Sequence, residues 1–472
     1  TIHLLESAES TNQQLAWAET ADGRHVARLL ITSPNARALR LGVLFYALPT
    51  GALFIFQGSD LRPHVLSSAS IASTIRLNRA SNAPLTEAHT FWSPLTSGDT
   101  VTLDIVLPPS KPPSSLRFSV PILSHLFTLP GNGPDQAFSG YTPKKASDCN
   151  LDVSCYPEWI NRGNAVAKLV VTDAVSSIMC TGTLLNDTFG SGIPWFLTAN
   201  HCVSNQTLAS SLTTYWFYRS NACNSDTPDP RLQSLGGGAN LLYHTDQTDT
   251  AFLRLNGQPP SRVGFSGWTT STPPLAIPTT GIHNPAGGWE KINFGAVADF
   301  VNCSVLSQSQ DFECQTSTPQ GSKYINISLA TGTTEEGSSG SPAFLNNGQF
   351  LIGQLYGGSS SCANPEGSNV YGRFDVSYAQ GNLQRWLNEQ SFPIQIAKTG
   401  NGTVVSSPEG INCGSACSTR YTVNSTLDFS ATASAGSVFT GWSGACIGTG
   451  GCRLLMDSDK QINAKFTTGL PV

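Results

Sequence analysis

The chain lacks several features that would place it in common classes of protein. Its 472 residues contain no stretch of about 18 consecutive apolar residues, so no membrane-spanning helix is predicted. It has no run of Lys or Arg, only 12% of its residues are charged, and its net charge of -5 is mild. Nucleic-acid-binding domains are usually strongly basic on one face. We therefore expect neither a membrane span nor a nucleic-acid partner.

Cysteine is absent from residues 1–148 and then appears twelve times. No CxxC-type pair recurs with the spacing of a zinc site, so structural zinc is the weaker interpretation, and we expect neither a metal nor a cofactor. Six disulfides, formed in an oxidising compartment, account better for an even number of cysteines. Because the first residue is Thr1 rather than Met, we expect a secreted, extracellular protein without its signal peptide.

Changes in composition predict three segments, all mainly β, within the two to four domains that this length allows. Residues 1–145 carry alternating apolar runs such as "HVARLLITS" and "TVTLDIVLPP", which predict a β-sandwich. Residues 146–392 alternate short strands with turns. Residues 398–472 form a small β domain with four cysteines, and two local disulfides would stabilise a domain with so small a core.

The connector between the first two segments is rich in Pro and Gly and contains adjacent Lys144 and Lys145. Exposed connectors of this kind are where proteolytic nicking is easiest. The basic pair is therefore a candidate processing site, with a plain exposed basic pair as the alternative.

The run "TTEEGSSGSPAF", residues 333–344, is typical of a turn, unless one of its serines performs chemistry. In "WFLTANHCVSN", His201 follows an apolar strand, and in "YHTDQTDTAFLRLN", Asp249 directly precedes one. A strand-end histidine and a turn aspartate are each common. His201, Asp249 and Ser339 in this order, inside one disulfide-rich β segment, indicate a Ser-His-Asp constellation.

The stretches "TANHC", "DTAFLRL" and "GSSGSP" resemble the His, Asp and Ser motifs of trypsin-like serine proteases, which have the chymotrypsin fold. Over roughly residues 147–391, "CNLDVSC", "CTGTLL", "LIGQLYGGSSSC" and "VYGRF" are similar to the bacterial lysyl endopeptidases. This resemblance implies a double β-barrel and a monomeric bacterial endopeptidase acting on proteins and peptides. By position, the first segment resembles the N-terminal propeptide of that branch. The last resembles a bacterial Cys-containing repeat of secreted proteins.

The resemblance also implies a role for each residue of the motifs. The Ser339 hydroxyl is a poor nucleophile near neutral pH and needs a base, which His201 would supply. Asp249 would hold the imidazole and stabilise its positive charge. The backbone N–H groups of Gly337 and Ser339 would form the oxyanion hole.

The sequence departs from the digestive proteases at Ser338, where they carry an aspartate that pairs with a newly freed N-terminus, so we expect that switch not to operate. The resemblance implies instead a propeptide that assists folding and covers the site until it is cleaved. In the lysyl branch an aspartate forms the base of the primary pocket; Asn369 stands there in this chain, which argues against strict lysine selectivity. Glu335 matches an acidic pocket-wall position, or is a solvated loop charge, so a basic preference stays open. Tyr356 and Gly357 are expected to pair with substrate backbone.

The resemblance further implies disulfides for six cysteines, and the other six are expected to pair locally. The implied pairs are Cys180–Cys202, Cys149–Cys362 and Cys155–Cys223. The expected local pairs are Cys303–Cys314, Cys413–Cys417 and Cys446–Cys452.

Two other functions are compatible with the same motifs. A catalytically silent, protease-like binding or adhesion protein is one, although such a module has no need of all three groups. An esterase or lipase is the other, but Ser339 lacks the strand–turn–helix context of a G-x-S-x-G elbow. For residues 398–472 we expect surface or substrate attachment, with Phe439 and Trp442 as either a contact patch or buried core.

Overall fold

The computed structural model describes residues 5–60, 63–127, 146–305, 311–347, 349–388, 391–423 and 425–468, so the candidate processing pair Lys144 and Lys145 lies outside it. The chain falls into two compact units. The first comprises Thr1–Leu185 with Pro194–Ser377, and the second Asn186–Ile193 with Tyr378–Val472. Strands dominate both units, so the mainly β prediction is confirmed.

The N-terminal part of the first unit is a β-sandwich, as predicted. One sheet has the strand order β1-β2-β8-β4-β5; in the other, β6, β7 and β9 all pair with β3. The elements are α1 (Ala8–Gln14), β1 (Ala18–Glu19), β2 (His25–Thr32), β3 (Ala38–Ala47), β4 (Leu53–Gln57), β5 (Pro63–Ser67), α2 (Ser68–Ala80), α3 (Leu85–His89), β6 (Thr90–Trp92), β7 (Thr96–Ser97), β8 (Thr100–Leu107) and β9 (Arg117–Leu126).

Strict alternation of side chains explains why these segments form a sandwich. Along β8, Val101, Leu103 and Ile105 are fully buried, while the residues between them face outward. A strand buries every second side chain when one of its faces covers a core. The outward Asp104 receives hydrogen bonds from the Arg28 side chain, at 2.6 and 2.8 Å, on the solvent side of the same sheet.

The rest of the first unit is built on two antiparallel sheets. The first has seven strands in the order β15-β14-β11-β12-β13-β17-β16. In the second, β19-β18-β22-β23-β24-β21 closes into a six-stranded barrel because β21 also pairs with β19, and β10 and β20 add to β19. The elements are β10 (Leu151–Asp152), α4 (Ile160–Gly163), β11 (Val166–Thr172), β12 (Ser177–Leu185), β13 (Trp195–Ala199), α5 (Gln206–Ser211), β14 (Thr213–Trp216), β15 (Gln233–Leu235), β16 (Ala239–Thr245), β17 (Thr250–Leu255), β18 (Pro278–His283), β19 (Lys291–Val305), β20 (Phe312–Thr316), β21 (Tyr324–Thr331), β22 (Pro342–Leu345), β23 (Leu351–Gly358) and β24 (Ser368–Arg373).

Each sheet encloses its own core. The seven-stranded sheet surrounds a cluster that includes Leu169, Phe196 and Trp216, all fully buried. The closed barrel surrounds a second cluster that includes Ile325 and Tyr371. Two separate cores beside one another agree with the two-barrel architecture expected from the resemblance.

The sandwich contacts the seven-stranded sheet through a few polar side chains. The buried guanidinium of Arg40 donates to the Thr172 hydroxyl at 3.2 Å. The Ser210 hydroxyl donates to Asn78 Oδ1 at 2.6 Å, and the hydroxyls of Ser124 and Ser177 lie 2.7 Å apart. These hydrogen bonds involve β11, β12 and α5, and none of them involves His201, Asp249 or Ser339.

The second unit contains two small sheets, ordered β27-β25-β31-β29 and β26-β28-β30. Trp442 is buried and lies 4.8 Å, centroid to centroid, from the half-buried ring of Phe439, so these aromatics belong to a core rather than to an exposed patch. None of the helices in the described ranges is both long enough and apolar enough to cross a membrane. The remaining elements are α6 (Phe374–Gln380), α7 (Gln384–Leu387), β25 (Ser391–Thr399), β26 (Gly402–Ser407), β27 (Ser418–Thr422), β28 (Thr426–Ala433), β29 (Ser437–Gly444), β30 (Cys452–Leu455) and β31 (Lys460–Thr468).

All twelve cysteines are joined in disulfides. The pairs are Cys149–Cys362, Cys155–Cys223, Cys180–Cys202, Cys303–Cys314, Cys413–Cys417 and Cys446–Cys452, the same six that the sequence analysis expects.

Candidate active site

The register of two paired strands brings His201 and Asp249 together. Ala199, the last residue of β13, pairs with Thr250, the first residue of β17. His201 lies two residues beyond the first strand and Asp249 one residue before the second. Side chains that leave paired strand ends in this way are neighbours in space although 48 residues separate them.

Asp249 holds His201 at two points. Its Oδ1 accepts the His201 backbone N–H at 2.8 Å, and its Oδ2 lies 2.8 Å from the ring Nδ1. Burial raises the pKa of the Asp249 carboxyl, and the hydrogen bonds from His201 counteract that rise. The Asp249 side chain is only 4% exposed, whereas that of His201 is 40% exposed. With Nδ1 held, the imidazole keeps Nε2 free for proton transfer.

A buried glutamine fixes the backbone on which Asp249 stands. Gln354 Nε2 donates to the carbonyl oxygens of Thr248 and Asp249, at 2.7 and 3.1 Å, and lies 2.9 Å from the Thr250 hydroxyl. Sequence reasoning missed this residue. A polar residue inside the apolar run "LIGQLYGG" predicts that Gln354 is buried, but it does not predict which groups Gln354 contacts.

Ser339 lies on a turn of residues 335–339, which we call the oxyanion turn after the oxyanion hole that the sequence predicts there. Ser338 N–H donates to the Glu335 carbonyl oxygen at 2.9 Å, and Ser341 N–H donates to the Ser338 carbonyl oxygen at 3.0 Å, which gives two consecutive turns. Gly337, with φ of +93°, occupies the third position of the first turn, where turns of type II require a positive φ. Gly337 therefore satisfies a backbone requirement of this turn.

The turn brings Ser339 beside the histidine loop. Its carbonyl oxygen accepts the Thr181 N–H at 2.8 Å and lies 3.9 Å from Cys202 Sγ, next along the chain to His201. No hydrogen bond joins the Ser339 hydroxyl to the imidazole within the described residues; such bonds are often long in unliganded enzymes. Cys180 and Cys202 also lie near His201, but their sulfurs are joined to each other and cannot act as thiolate ligands of a metal.

Two backbone donors of the oxyanion turn are free to bind a ligand. Across the described part of the chain, the N–H groups of Gly337 and Ser339 donate no hydrogen bond. The Thr181 hydroxyl donates to the Gly337 carbonyl oxygen at 2.9 Å and so fixes the Gly337–Ser338 peptide, which lies between the two donors. A free pair of donors beside the nucleophile is what an oxyanion hole requires.

A neutral hydrogen bond replaces the ion pair that digestive proteases have before the nucleophile. The fully buried Ser338 hydroxyl lies 2.8 Å from His283 Nδ1 and accepts the Glu335 N–H at 3.2 Å. Burial lowers the pKa of His283 to about 3, so the ring is neutral at ordinary pH. His283, which sequence reasoning also missed, therefore tethers the turn without charge.

The predicted pocket base is a buried amide. Asn369 is fully buried on β24, and its Oδ1 accepts hydrogen bonds from the hydroxyls of Thr334 at 3.1 Å and Ser360 at 2.8 Å. Its Nδ2 has no hydrogen-bond partner among the described residues. The position thus carries an unpaired neutral donor and no charge.

The other predicted binding residues lie in different surroundings. The Tyr356 ring is 6.0 Å from the His201 ring and 4.4 Å from that of Phe312, centroid to centroid. The adjacent Gly357 follows a bulge in the pairing of β23 with β24. The carboxylate of Glu335 accepts hydrogen bonds from Ser147 and Asn150.

Two antiparallel sheets with separate cores, a histidine held by a buried aspartate and a serine turn beside it define a serine endopeptidase with a chymotrypsin-like fold. Comparison with known proteins gives the family. "Lysyl endopeptidase, C-terminal domain" matches residues 144–372, and "Lysyl endopeptidase N-terminal domain" matches residues 1–127. Lysyl endopeptidase of Pseudomonas aeruginosa is 31% identical over 387 residues, which cover 78% of this chain and 76% of that protein. The chain belongs to the lysyl endopeptidase family.

Other similarities are more distant. "Divergent InlB B-repeat domain" matches residues 392–469. Secreted RxLR effector protein 73 of Plasmopara viticola is 24% identical over 202 residues, 42% of this chain and 46% of that protein. The active form of the Rv3671c protease of M. tuberculosis shares 14% identity with a TM-score of 0.33, covering 52% of this chain and 91% of that one. An inactivated protease paralogue of the scabies mite shares 16% identity with a TM-score of 0.34, covering 48% and 97%.

Proposed function

We propose that the chain is the precursor of a secreted bacterial endopeptidase that hydrolyses peptide bonds through a triad of Ser339, His201 and Asp249. The observation that carries the proposal is the two-point hold of Asp249 on His201, at 2.8 Å to the backbone N–H and 2.8 Å to Nδ1. A histidine with a purely structural role does not need one buried carboxylate bonded to both its backbone and its ring. A general base needs such a partner, because the tautomer and the orientation of its ring must be fixed.

The reaction follows from these positions. His201 Nε2 takes the Ser339 hydroxyl proton as Oγ attacks the carbonyl carbon, and the carbonyl electron pair moves onto oxygen. The N–H groups of Gly337 and Ser339 stabilise that oxyanion. As the oxyanion collapses, the C–N bond breaks and His201 gives its proton to the leaving amine. Water, deprotonated by His201, then attacks the acyl carbon. The acyl C–Oγ bond breaks, His201 returns the proton to Ser339 Oγ, and the carboxylic acid product leaves.

Substrate selection is proposed to depend on Asn369, Tyr356 and Gly357. An amide at the pocket base offers a lysine ammonium no opposite charge, and a buried ammonium needs one. We therefore expect a basic preference that is much weaker than an aspartate at this position would give. Backbone pairing along Tyr356 and Gly357 would orient the peptide irrespective of its sequence.

We propose three parts with different functions. Residues 1–145 are the propeptide, residues 146–392 are the protease domain and residues 398–472 are an attachment domain. Processing after Lys144 or Lys145 would release the first part. Six disulfides support a secreted protein. Deleting residues 398–472 should weaken binding to insoluble protein or cells without changing cleavage of a small peptide; unchanged binding would contradict the attachment duty.

Labelling by an organophosphonate tests the proposed chemistry. After incubation to permit processing, the wild-type chain should be labelled at Ser339 in a one-to-one ratio, while Ser339→Ala should not. Mass spectrometry identifies the labelled residue and the new N-terminus together. A processed, folded protein that takes up no label would overturn the proposal and favour a silent binding protein.

A further inference from the structure

A short segment that follows the connector lies against the oxyanion turn. We call residues 146–150 the strap. Its Ser147 N–H donates to Glu335 Oε2 at 3.0 Å, its Ser147 hydroxyl donates to Oε1, and Asn150 Nδ2 donates to Oε2 at 2.9 Å. One carboxylate thus accepts three hydrogen bonds from the strap. Hydrogen bonds to an ionised acceptor are about twice as strong as neutral ones.

The strap is itself anchored independently of Glu335. Asn150 donates to the Ser147 carbonyl oxygen from its backbone N–H, at 2.9 Å, and from Nδ2, at 3.0 Å, which closes the strap into a turn. The Cys149–Cys362 disulfide ties it to the loop before β24. The next two residues, β10, pair with β19 of the closed barrel. The strap therefore provides a fixed point against which the oxyanion turn can be held.

Glu335 is the first residue of that turn, and its backbone also takes part in it. Its carbonyl oxygen accepts the Ser338 N–H, and its own N–H donates to the Ser338 hydroxyl, which contacts His283. The proposed oxyanion donors, Gly337 and Ser339, lie two and four residues further along. A shift of Glu335 would therefore move the donors.

The same contacts argue against a role for Glu335 in recognising a substrate cation. The structure pairs its carboxylate with neutral donors, and among the described residues no Lys, Arg or His forms an ion pair with it. Turning the carboxylate toward a substrate would break three hydrogen bonds and leave the Ser147 N–H without its acceptor.

We propose that Glu335 is a positioning residue that fastens the oxyanion turn to the strap and does not select the charge of the substrate. The inference rests on the proposed function, because it assigns the turn to the oxyanion hole. It makes turnover dependent on a strap that begins immediately after the connector. Residues 335 and 338 then tether the turn on its two sides, the first to the strap and the second to His283.

Glu335→Ala, Glu335→Gln and Asn150→Ala, expressed as full-length precursors and allowed to process, test this assignment. Substrates that differ only in lysine or norleucine before the cleaved bond report charge selection, because norleucine lacks the ammonium. In Glu335→Ala, kcat should fall about 10- to 100-fold for both substrates, somewhat less than for outright loss of an oxyanion donor, with KM nearly unchanged. Glu335→Gln keeps an acceptor oxygen and should recover part of the loss.

The strap variant separates a tether from a general structural defect. Asn150→Ala should also lower kcat. The double variant with Glu335→Ala should lose less than the product of the two single losses, because both single variants remove the same Asn150–Glu335 hydrogen bond. Glu366→Ala, which removes an exposed carboxylate from the loop before β24, should leave both substrates unaffected.

A loss confined to the lysine substrate, equal in Glu335→Ala and Glu335→Gln and absent in Asn150→Ala, would overturn the inference and make Glu335 a pocket acid. Unchanged kinetics in all three variants would also overturn it. Phosphonate labelling of the wild type keeps this failure distinct from failure of the proposed function. If the wild type is labelled and active but the variants are unaffected, only the positioning role of Glu335 is contradicted. If the wild type is not labelled, the proposed function is contradicted as well.

Discussion

The two halves of the proposed triad are held in different ways. His201 and Asp249, 48 residues apart, lie beside the ends of two paired strands, so the register of one ladder brings them together. Ser339 lies on a turn that no ladder fixes. Its hold comes from contacts such as Ser147 with Glu335, 188 residues apart, and Thr181 with Gly337, 156 residues apart. The first half follows from one sheet, whereas the second needs the assembled catalytic region.

Breaking the first half should have the largest effect. Asp249→Asn should lower kcat about 10⁴-fold without unfolding the chain, because the amide favours the wrong imidazole tautomer. Steady-state kinetics on a short peptide, with circular dichroism to check folding, measure this. Asp246→Asn is the matched control, since Asp246 is exposed and bonds Asn200 rather than the histidine. Equal losses of kcat in the two variants would contradict a specific role of Asp249 in supporting His201.

Breaking the second half should cost less and leave the His-Asp pair intact. Gly337→Ala should lower kcat about 10²- to 10³-fold, the typical effect of one oxyanion donor. A Cβ there would lie 3.0 Å from the Asn284 carbonyl oxygen and would push the turn away. Gly237→Ala has a similar positive φ but open space around the added carbon, so it should lose stability without losing turnover. Comparable kcat values for the two variants would contradict the assignment.

Changing the residue at the pocket base tests how the region around Ser339 selects the substrate side chain before the cleaved bond. Asn369→Asp should raise the preference for lysine over norleucine about 10- to 100-fold, because a charge-assisted hydrogen bond contributes roughly 1.5–3 kcal/mol. Peptide-library profiling before and after the change measures the ratio. Asn364→Asp adds the same charge on an exposed loop and should change the ratio little. A similar gain from both would indicate a general field effect rather than a pocket contact.

The last prediction concerns stability rather than turnover, and a lysine that joins the seven-stranded sheet to the loop beside Gly337. The fully buried Lys168, on β11, donates from Nζ to the Gly287 carbonyl oxygen at 2.9 Å, beside the loop that backs Gly337. Burial lowers its pKa to about 7 from 10.5. Above pH 7 the folded chain releases this proton while the unfolded chain keeps it to about pH 10.5. Wild-type stability therefore gains up to about 1.4 kcal/mol per pH unit from this group between these values.

Lys168→Met should abolish that gain, so the free energy of unfolding of the variant minus that of wild type should become more negative from pH 7 to 9. Urea unfolding in the Ser339→Ala background, which prevents autolysis, measures the difference. Glu290, whose pKa burial raises to about 7, contributes the opposite slope below pH 7 in both proteins and cancels. The exposed Lys465→Met should show no such trend, and a flat difference for Lys168→Met would refute the prediction.

The sequence supports some parts of the site more firmly than others. The strand ends at Ala199 and Thr250 can be read from the apolar runs that stop and start there, so the flanking His201 and Asp249 could be proposed together. The turn chemistry of Gly337 could also be predicted, because a positive φ favours glycine. Gln354, His283 and the strap could not, since a buried polar residue reveals its partner only when the fold brings the two together.

By itself, the sequence determined the mainly β class, the N-terminal sandwich and the order of the three motif residues, because side-chain alternation and turn composition are local properties of a chain. Only the tertiary structure decided how the serine turn is held and where the Glu335 carboxylate points. Those outcomes depend on hydrogen bonds between residues far apart in sequence, and the cost of leaving a buried donor or acceptor unpaired selects one arrangement only after both partners are in place.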